Sequence, residues 1–310
     1  MILLSFLVIL LLSPLDRAGA AETAETILIR QSLEKDRSGR RRGDAELVLS
    51  AYDEDRFVVW DAGGSIDGRA WSVLHGSRDE VADALETDLA VRHYDLKREV
   101  VLINVWKDKA FVTTVDSGMV IDSATGNRSP YAQNQLWTFR KRDEEWLATG
   151  VIVALGDSTS GPVVGKVEAD DVAEALQDHA AEWSDGSASG ISSGLTEEAV
   201  LVDLYFSANP AKWLIVFADR EEIDDWLEER LAVVDYSIEC SVEHAMAQGD
   251  EAVAVTQEQI SATYAGGEAR IAETQLRIWL LTRSGGTWQV DWVFRKAKPF
   301  SPIDGSTALH

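Results

Sequence analysis

Residues 77–89 read SRDEVADALETDL, and residues 219–231 read DREEIDDWLEERL. The stretches lie 142 positions apart and share six of thirteen residues: Arg78/Arg220, Glu80/Glu222, Asp83/Asp225, Leu85/Leu227, Glu86/Glu228 and Leu89/Leu231. Each opens as a capping box, in which Ser77 or Asp219 accepts from the third helical amide and Glu80 or Glu222 reaches back. Val81, Leu85 and Leu89, and Ile223, Leu227 and Leu231, then form a core stripe at i, i+4, i+8. The same offset carries Tyr94 to Tyr236, Asp108 to Asp250, Ala110 to Ala252, Thr114 to Thr256 and Trp146 to Trp288. One architecture is therefore present twice.

Composition narrows the function classes. The 310 residues carry a formal net charge of −24, which repels phosphate backbones and argues against nucleic-acid binding. Cys240 is the single cysteine, so no intrachain disulfide or Cys-rich metal site exists, and a buried inert thiol is expected. The first twenty residues, MILLSFLVILLLSPLDRAGA, hold an apolar run too short to span a bilayer and end in the small-x-small triplet Ala18-Gly19-Ala20. A signal peptide at 1–20 and a secreted or periplasmic protein are expected, with no membrane span after its removal. A short uncleaved anchor is the alternative.

The remainder divides into a domain at 21–155, a Gly/Ser/Pro linker at 156–170, a domain at 171–297 and a polar tail at 298–310. In the first domain the pattern predicts a helix over 24–37 broken by SGRRRGD, then a helix capped by Asp44. A strand at Phe57–Trp60, a Gly-rich loop over 61–76 and the capped helix follow. Strands at 93–106 and 110–122, and at 135–141 and 146–154, complete the half. In the second half the pattern predicts a helix over 171–183, a flexible break at SDGSASGISSG, and a helix running from Thr196 to about Phe206. Trp213–Phe217 is then the first strand, directly before the second capped helix, and strands at about 235–247, 251–264, 270–283 and 287–296 follow.

This order resembles the nuclear-transport-factor-2-like superfamily, and its SnoaL-like and ketosteroid-isomerase-like branches most. The strand-loop-SRDEV step and QLWTFRKRDEEWLATGVIV, echoed by TQLRIWLLTRSGGTWQVDWVFRK, carry the likeness over 24–154 and 171–296. The resemblance implies an α+β fold of two cone-shaped domains, each a curved antiparallel sheet around N-terminal helices with an apolar pocket. It also implies that the two copies pair internally, as family members commonly dimerise.

Proton abstraction beside a carbonyl needs a carboxylate base in an apolar pocket and donors for the enolate oxygen. Asp61, Asp116 and His75 are the catalytic candidates, with His93 at a strand start. Trp60, Asp61, Tyr94, Asn104 and Asp116 are the expected ligand-binding set. Strand alternation puts Asp116 with Val112 and Thr114, and across the hairpin with Leu102 and Asn104. No phosphate loop, nucleophile elbow or paired-His motif appears, so neither cofactor nor metal is expected. The sequence favours a tandem that binds a small apolar ligand or serves as a non-catalytic interaction module. The alternative is an isomerase, cyclase or dehydratase working in the first domain. The long loop 61–76, with no counterpart before the second capped helix, points ligand work to the first domain.

Overall fold

The computed structural model describes residues 23–65, 68–155, 166–204, 213–264, 270–297 and 301–302. The leader, most of the linker and most of the tail lie outside them.

The first half runs α1 (Ala24–Arg42), α2 (Ala45–Leu49), β1 (Val58–Asp61), β2 (Ser72–His75), α3 (Arg78–Val91), β3 (Arg92–Trp106), β4 (Lys109–Asp122), β5 (Arg128–Arg142) and β6 (Glu145–Val153). The second half runs α4 (Asp170–Ser184), α5 (Ala188–Ser193), β7 (Leu195–Asp203), β8 (Leu214–Phe217), α6 (Arg220–Leu231), β9 (Val234–Gln248), β10 (Glu251–Tyr264), β11 (Arg270–Ser284), β12 (Thr287–Ala297) and the short β13 (Ser301–Pro302). The sheets have matching orders, β2-β1-β6-β5-β4-β3 and β8-β7-β12-β11-β10-β9, and β13 pairs with β11. All neighbours are antiparallel except β1 with β6 and β7 with β12. These are two α+β domains of one design.

Both capping boxes form. Ser77 accepts from Glu80 N–H at 3.2 Å and Asp219 from Glu222 N–H at 2.8 Å. Each glutamate accepts from the amide just before the cap, Gly76 at 2.8 Å and Ala218 at 2.9 Å. The bulges repeat as well. In β3 the register slips between Val100 and Leu102, and in β10 it slips opposite the corresponding point of β9.

Six expectations need correction. Helix α1 continues through SGRRR to a left-handed cap at Gly43 (φ 68°). The glycine within it, Gly39, is where α2 packs against the helix: a Cβ there would sit 2.6 Å from Val48 Cγ2. The 61–76 stretch is not all loop, since β2 lies within it and pairs back onto β1. Residues 195–203 are a strand, not a helix, because Ala199, Val200 and Val202 are buried and the segment pairs with β12, so tertiary pairing overrides local propensity. The helix of this region, α5, sits in the stretch read as a break. Consequently Trp213–Phe217 answers β2 rather than β1. Ten residues separate β1 from β2 and ten separate β7 from β8, so the loop difference between the halves does not exist.

Helices cover one face of each sheet. Ile29, Leu33, Tyr52, Val81, Leu85 and Trp137 belong to one core, and Val172, Leu176, Ile223, Leu227 and Trp279 to its counterpart. A third core draws on the other face of both sheets: Trp60, Phe111, Leu136 and Ile152 meet Trp213, Val253, Ile278 and Trp292. Polar contacts rim it. Arg56 reaches Glu251 at 2.8 Å and Asp291 at 2.7 Å. Lys107, at the β3–β4 turn, reaches Asp219 and Glu222 of the α6 cap at 2.9 Å each. In reciprocal fashion, Gln248 at the β9–β10 turn donates to Glu80 of the α3 cap at 3.2 Å.

Candidate functional site

Between the first sheet and its helices lies a cavity of about 450 Å³. Phe57, Val59, Val81, Leu85, Val151 and Val153 make its apolar wall. The opposite wall is polar and comes from α1 and three strands. Arg40 sits on α1, Tyr94 on β3, Asp116 on β4, and Tyr131, Gln133 and Gln135 alternate along β5.

Behind that wall is a buried charge cluster. Arg98 grips Asp116 with Nε and Nη2, both at 2.7 Å, and also meets Asp36 at 2.8 Å. Asp36 accepts from Arg40 Nε at 3.0 Å and from the Tyr52 hydroxyl. Burial alone would raise the Asp36 carboxyl, but Arg40, Arg98 and Tyr52 outweigh it and hold the group below the usual carboxylate range. Burial and the adjacent Asp36 push the Tyr52 phenol up. Arg98 lies over the Trp137 ring at 4.9 Å. A relay runs from Trp137 Nε1 to Thr114 Oγ1 at 3.1 Å and from Thr114 to Gln135 Oε1 at 3.3 Å. Gln133 Oε1 then accepts from Gln135 Nε2 at 2.9 Å and from the Tyr131 hydroxyl. Burial pushes the Tyr131 phenol up to about 12. At the mouth, Asp88 accepts from Arg92 at 2.7 Å and from Tyr94 at 2.5 Å.

The second domain repeats the relay with one exchange. Trp279 Nε1 donates to Thr256 at 2.8 Å, and Thr256 to Glu258 at 3.2 Å. Glu258 holds the place of Asp116, but its arginine, Arg277, comes from β11, at the position answering Gln135. Burial raises the Glu258 carboxyl. The second cavity is about 210 Å³ and mostly aromatic and aliphatic, lined by Trp183, Phe217, Trp226 and Trp279 with His179 and Arg277.

Of the residues singled out from sequence, Asp116, Tyr94 and His75 line the first cavity. Trp60 and Asn104 do not: Trp60 belongs to the core shared by the two sheets, and Asn104 donates to the Trp213 carbonyl at 3.3 Å across it. For Asn104 the cause is the β3 bulge. Val100 faces Thr114 but Leu102 faces Thr113, so Leu102 and Asn104 flip to the face opposite Asp116. Asp61 is half-buried at the end of β1 and accepts from Gly63 N–H at 2.8 Å as a local turn brace. His93 is exposed. Asp116 is neither solvent-facing nor a free carboxylate, since both its oxygens are taken by Arg98. The residues missed were Arg40, Arg98, Tyr131 and Gln133. Alternation of Tyr131, Gln133 and Gln135 was the available signal, hidden because β5 was expected to start only at Gln135. Among the described residues no cluster of His, Cys, Asp and Glu could hold a metal ion, and no helix is long and apolar enough to cross a membrane. Burial pushes the Cys240 thiol up to about 12, with Glu258 adding to it.

No family model and no curated protein matches the chain. Solved structures do. A ketosteroid isomerase-like protein from Erwinia carotovora atroseptica is 22% identical with a TM-score of 0.35, over 42% of this chain and 95% of its own. An NTF-2-like protein of unknown function from Shewanella oneidensis is 17% identical with a TM-score of 0.34, over 42% and 98%. A type 3 hexachlorocyclohexane dehydrochlorinase from Novosphingobium barchaimii is 10% identical with a TM-score of 0.36, over 46% and 93%. Each is thus spanned almost whole by less than half of this chain.

Proposed function

We propose that this chain is a non-catalytic binding protein of the SnoaL-like type, exported from the cytoplasm, whose first domain holds a small, largely apolar molecule. The second domain serves as its permanent internal partner. The observation that carries the reading is the 450 Å³ cavity itself, with one apolar wall and with its acids, Asp88 and Asp116, already committed to arginines. A cavity of this size suits a ligand of one or two rings, and an acid held at both oxygens by a guanidinium supports structure rather than proton transfer. The test is a fluorescence titration with 2-ethylnaphthalene. Saturable binding is expected, and it should disappear in Ala84→Trp, where an indole on α3 fills the space beside Leu85. Equal binding by both proteins would remove the cavity from the function.

One observation favours an enzyme as a second reading. His75 lines the same cavity and has no hydrogen-bond partner among the described residues, so its imidazole is free to move a proton. Deuterium exchange at the α-carbon of 2-acetonaphthone, followed by NMR, separates the readings. A binder leaves the background rate unchanged, whereas a catalyst accelerates it and loses that acceleration in His75→Ala.

A further inference from the structure

The hydrogen bonds of the polar wall leave a one-sided remainder. No carboxylate oxygen on or behind it is left open to the cavity: Asp36 Oδ1 accepts from Arg40 and Tyr52, its Oδ2 is sealed from solvent and ion-paired to Arg98 at 2.8 Å without a hydrogen bond, Asp88 accepts from Arg92 and Tyr94, and Asp116 from Arg98 at both oxygens. The hydroxyl protons of Tyr52, Tyr94 and Tyr131 are spent on Asp36, Asp88 and Gln133. The carbonyl oxygens of Gln133 and Gln135 both accept. Among the described residues, what remains unspent is a set of N–H donors. Arg40 uses Nε and Nη2 but not Nη1, and Gln133 uses its oxygen but not Nε2. Both side chains line the cavity, and neither unspent nitrogen is among the buried unpaired atoms of the described residues. Charge adds a second constraint. Asp36, Asp88 and Asp116 balance Arg40, Arg92 and Arg98, so the wall is neutral within a protein of net charge −24.

Resting on the binding reading above, we propose that the ligand's polar end is an uncharged hydrogen-bond acceptor, a carbonyl oxygen, received by Arg40 Nη1 and Gln133 Nε2. A ligand that donates finds no open carboxylate or amide oxygen on this wall, and the imidazole of His75 lies off it, on β2. An anion brings charge with no cation left to balance it, and a cation meets two bare N–H groups. An apolar end leaves those donors dry and unpaired, which costs more than a missing attraction alone.

The test is a matched set of naphthalenes with the whole chain: 2-acetonaphthone, 2-ethylnaphthalene, 2-naphthoate and 2-(aminomethyl)naphthalene. The ketone is expected to bind about tenfold tighter than the hydrocarbon, the scale of one or two hydrogen bonds made in a dry site. Gln133→Glu keeps the oxygen that accepts from Tyr131 and Gln135 but exchanges the free donor for an acceptor. In that variant, and in Arg40→Lys, which removes Nη1 yet keeps a cation beside Asp36, the ketone's margin over the hydrocarbon should fall to near one. Equal binding of ketone and hydrocarbon by the native chain overturns the acceptor assignment and leaves the cavity reading standing. So does a margin unchanged in both variants. Tighter binding of 2-naphthoate or the ammonium compound than of the ketone overturns the claim of an uncharged ligand. Binding of none of the four removes the cavity reading, and this inference falls with it.

Discussion

His179 makes the stability of the second domain depend on pH in a stated direction. It lies on α4, buried edge-on against Trp279 at 5.8 Å between ring centroids. Its Nε2 accepts from Trp183 Nε1 at 3.3 Å, so the proton of the neutral ring is on Nδ1, which has no partner among the described residues. Burial, with Arg277 adding to it, holds the imidazole down at about 4. An unfolded histidine titrates near 6.5, so between about pH 6.5 and pH 4 the unfolded chain binds the extra proton and stability falls as pH falls. Each pH unit in that interval costs about 1.4 kcal/mol, because the unfolded imidazole is charged while the buried one stays neutral. Lowering pH from 7.5 to 5.0 should therefore remove about 2 kcal/mol through this residue alone. The assay is urea unfolding at both pH values for the native chain and His179→Leu, followed by tryptophan fluorescence. Leucine is what the first domain carries at the matching place, Leu33, as aligned by the helix-start acids Glu25 and Asp171 bonded to Trp146 and Trp288. The lost Trp183 bond weakens the variant equally at both pH values and cancels in the difference. The native chain should lose about 2 kcal/mol more than the variant over that interval. An identical loss in both proteins, or an NMR titration of His179 near 6.5, would refute the reasoning.

Arg98→Met should cost more than Asp116→Leu, roughly 4 against 2 kcal/mol by chemical denaturation, because Arg98 neutralises both Asp36 and Asp116 whereas Arg98 keeps Asp36 when Asp116 is gone. The reverse ranking would mean the cluster is not organised around Arg98. Arg56→Ala leaves Glu251 and Asp291 facing each other half-unpaired between the domains and should cost about 3 kcal/mol, seen as a lower midpoint in thermal unfolding. Residues 21–156 and 168–310, made separately, should each self-associate in sedimentation, since each exposes its share of the joint core. Two monodisperse monomers of native-like stability would show that the joint core is dispensable.

The repeat, the capped helices and the long hairpins of the second half of each domain were legible because they depend on local signals: capping residues, period-2 runs and tight turns. Short elements were harder. β7 carries Thr196, Glu197 and Glu198, which read as a helix start, and only pairing with β12 makes it a strand. That one misreading shifted the match between the halves and created a loop difference that is not there. At the site, alternation placed Asp116 on the correct face within β4. It failed across the hairpin, because no residue near Val101 announces the bulge that sends Asn104 to the other side. Arg98 and Asp36 were invisible as a pair because they meet through tertiary packing of α1 on β3, not through spacing.

A crystal structure with 2-acetonaphthone at saturation tests the binding claim most directly. The expected result is one molecule in the first domain, its ring against Phe57, Leu85 and Val151, with its oxygen within hydrogen-bond reach of Arg40 and Gln133. Ligand density only beside Trp183 and Trp226 in the second domain, or none with both cavities intact, would contradict it.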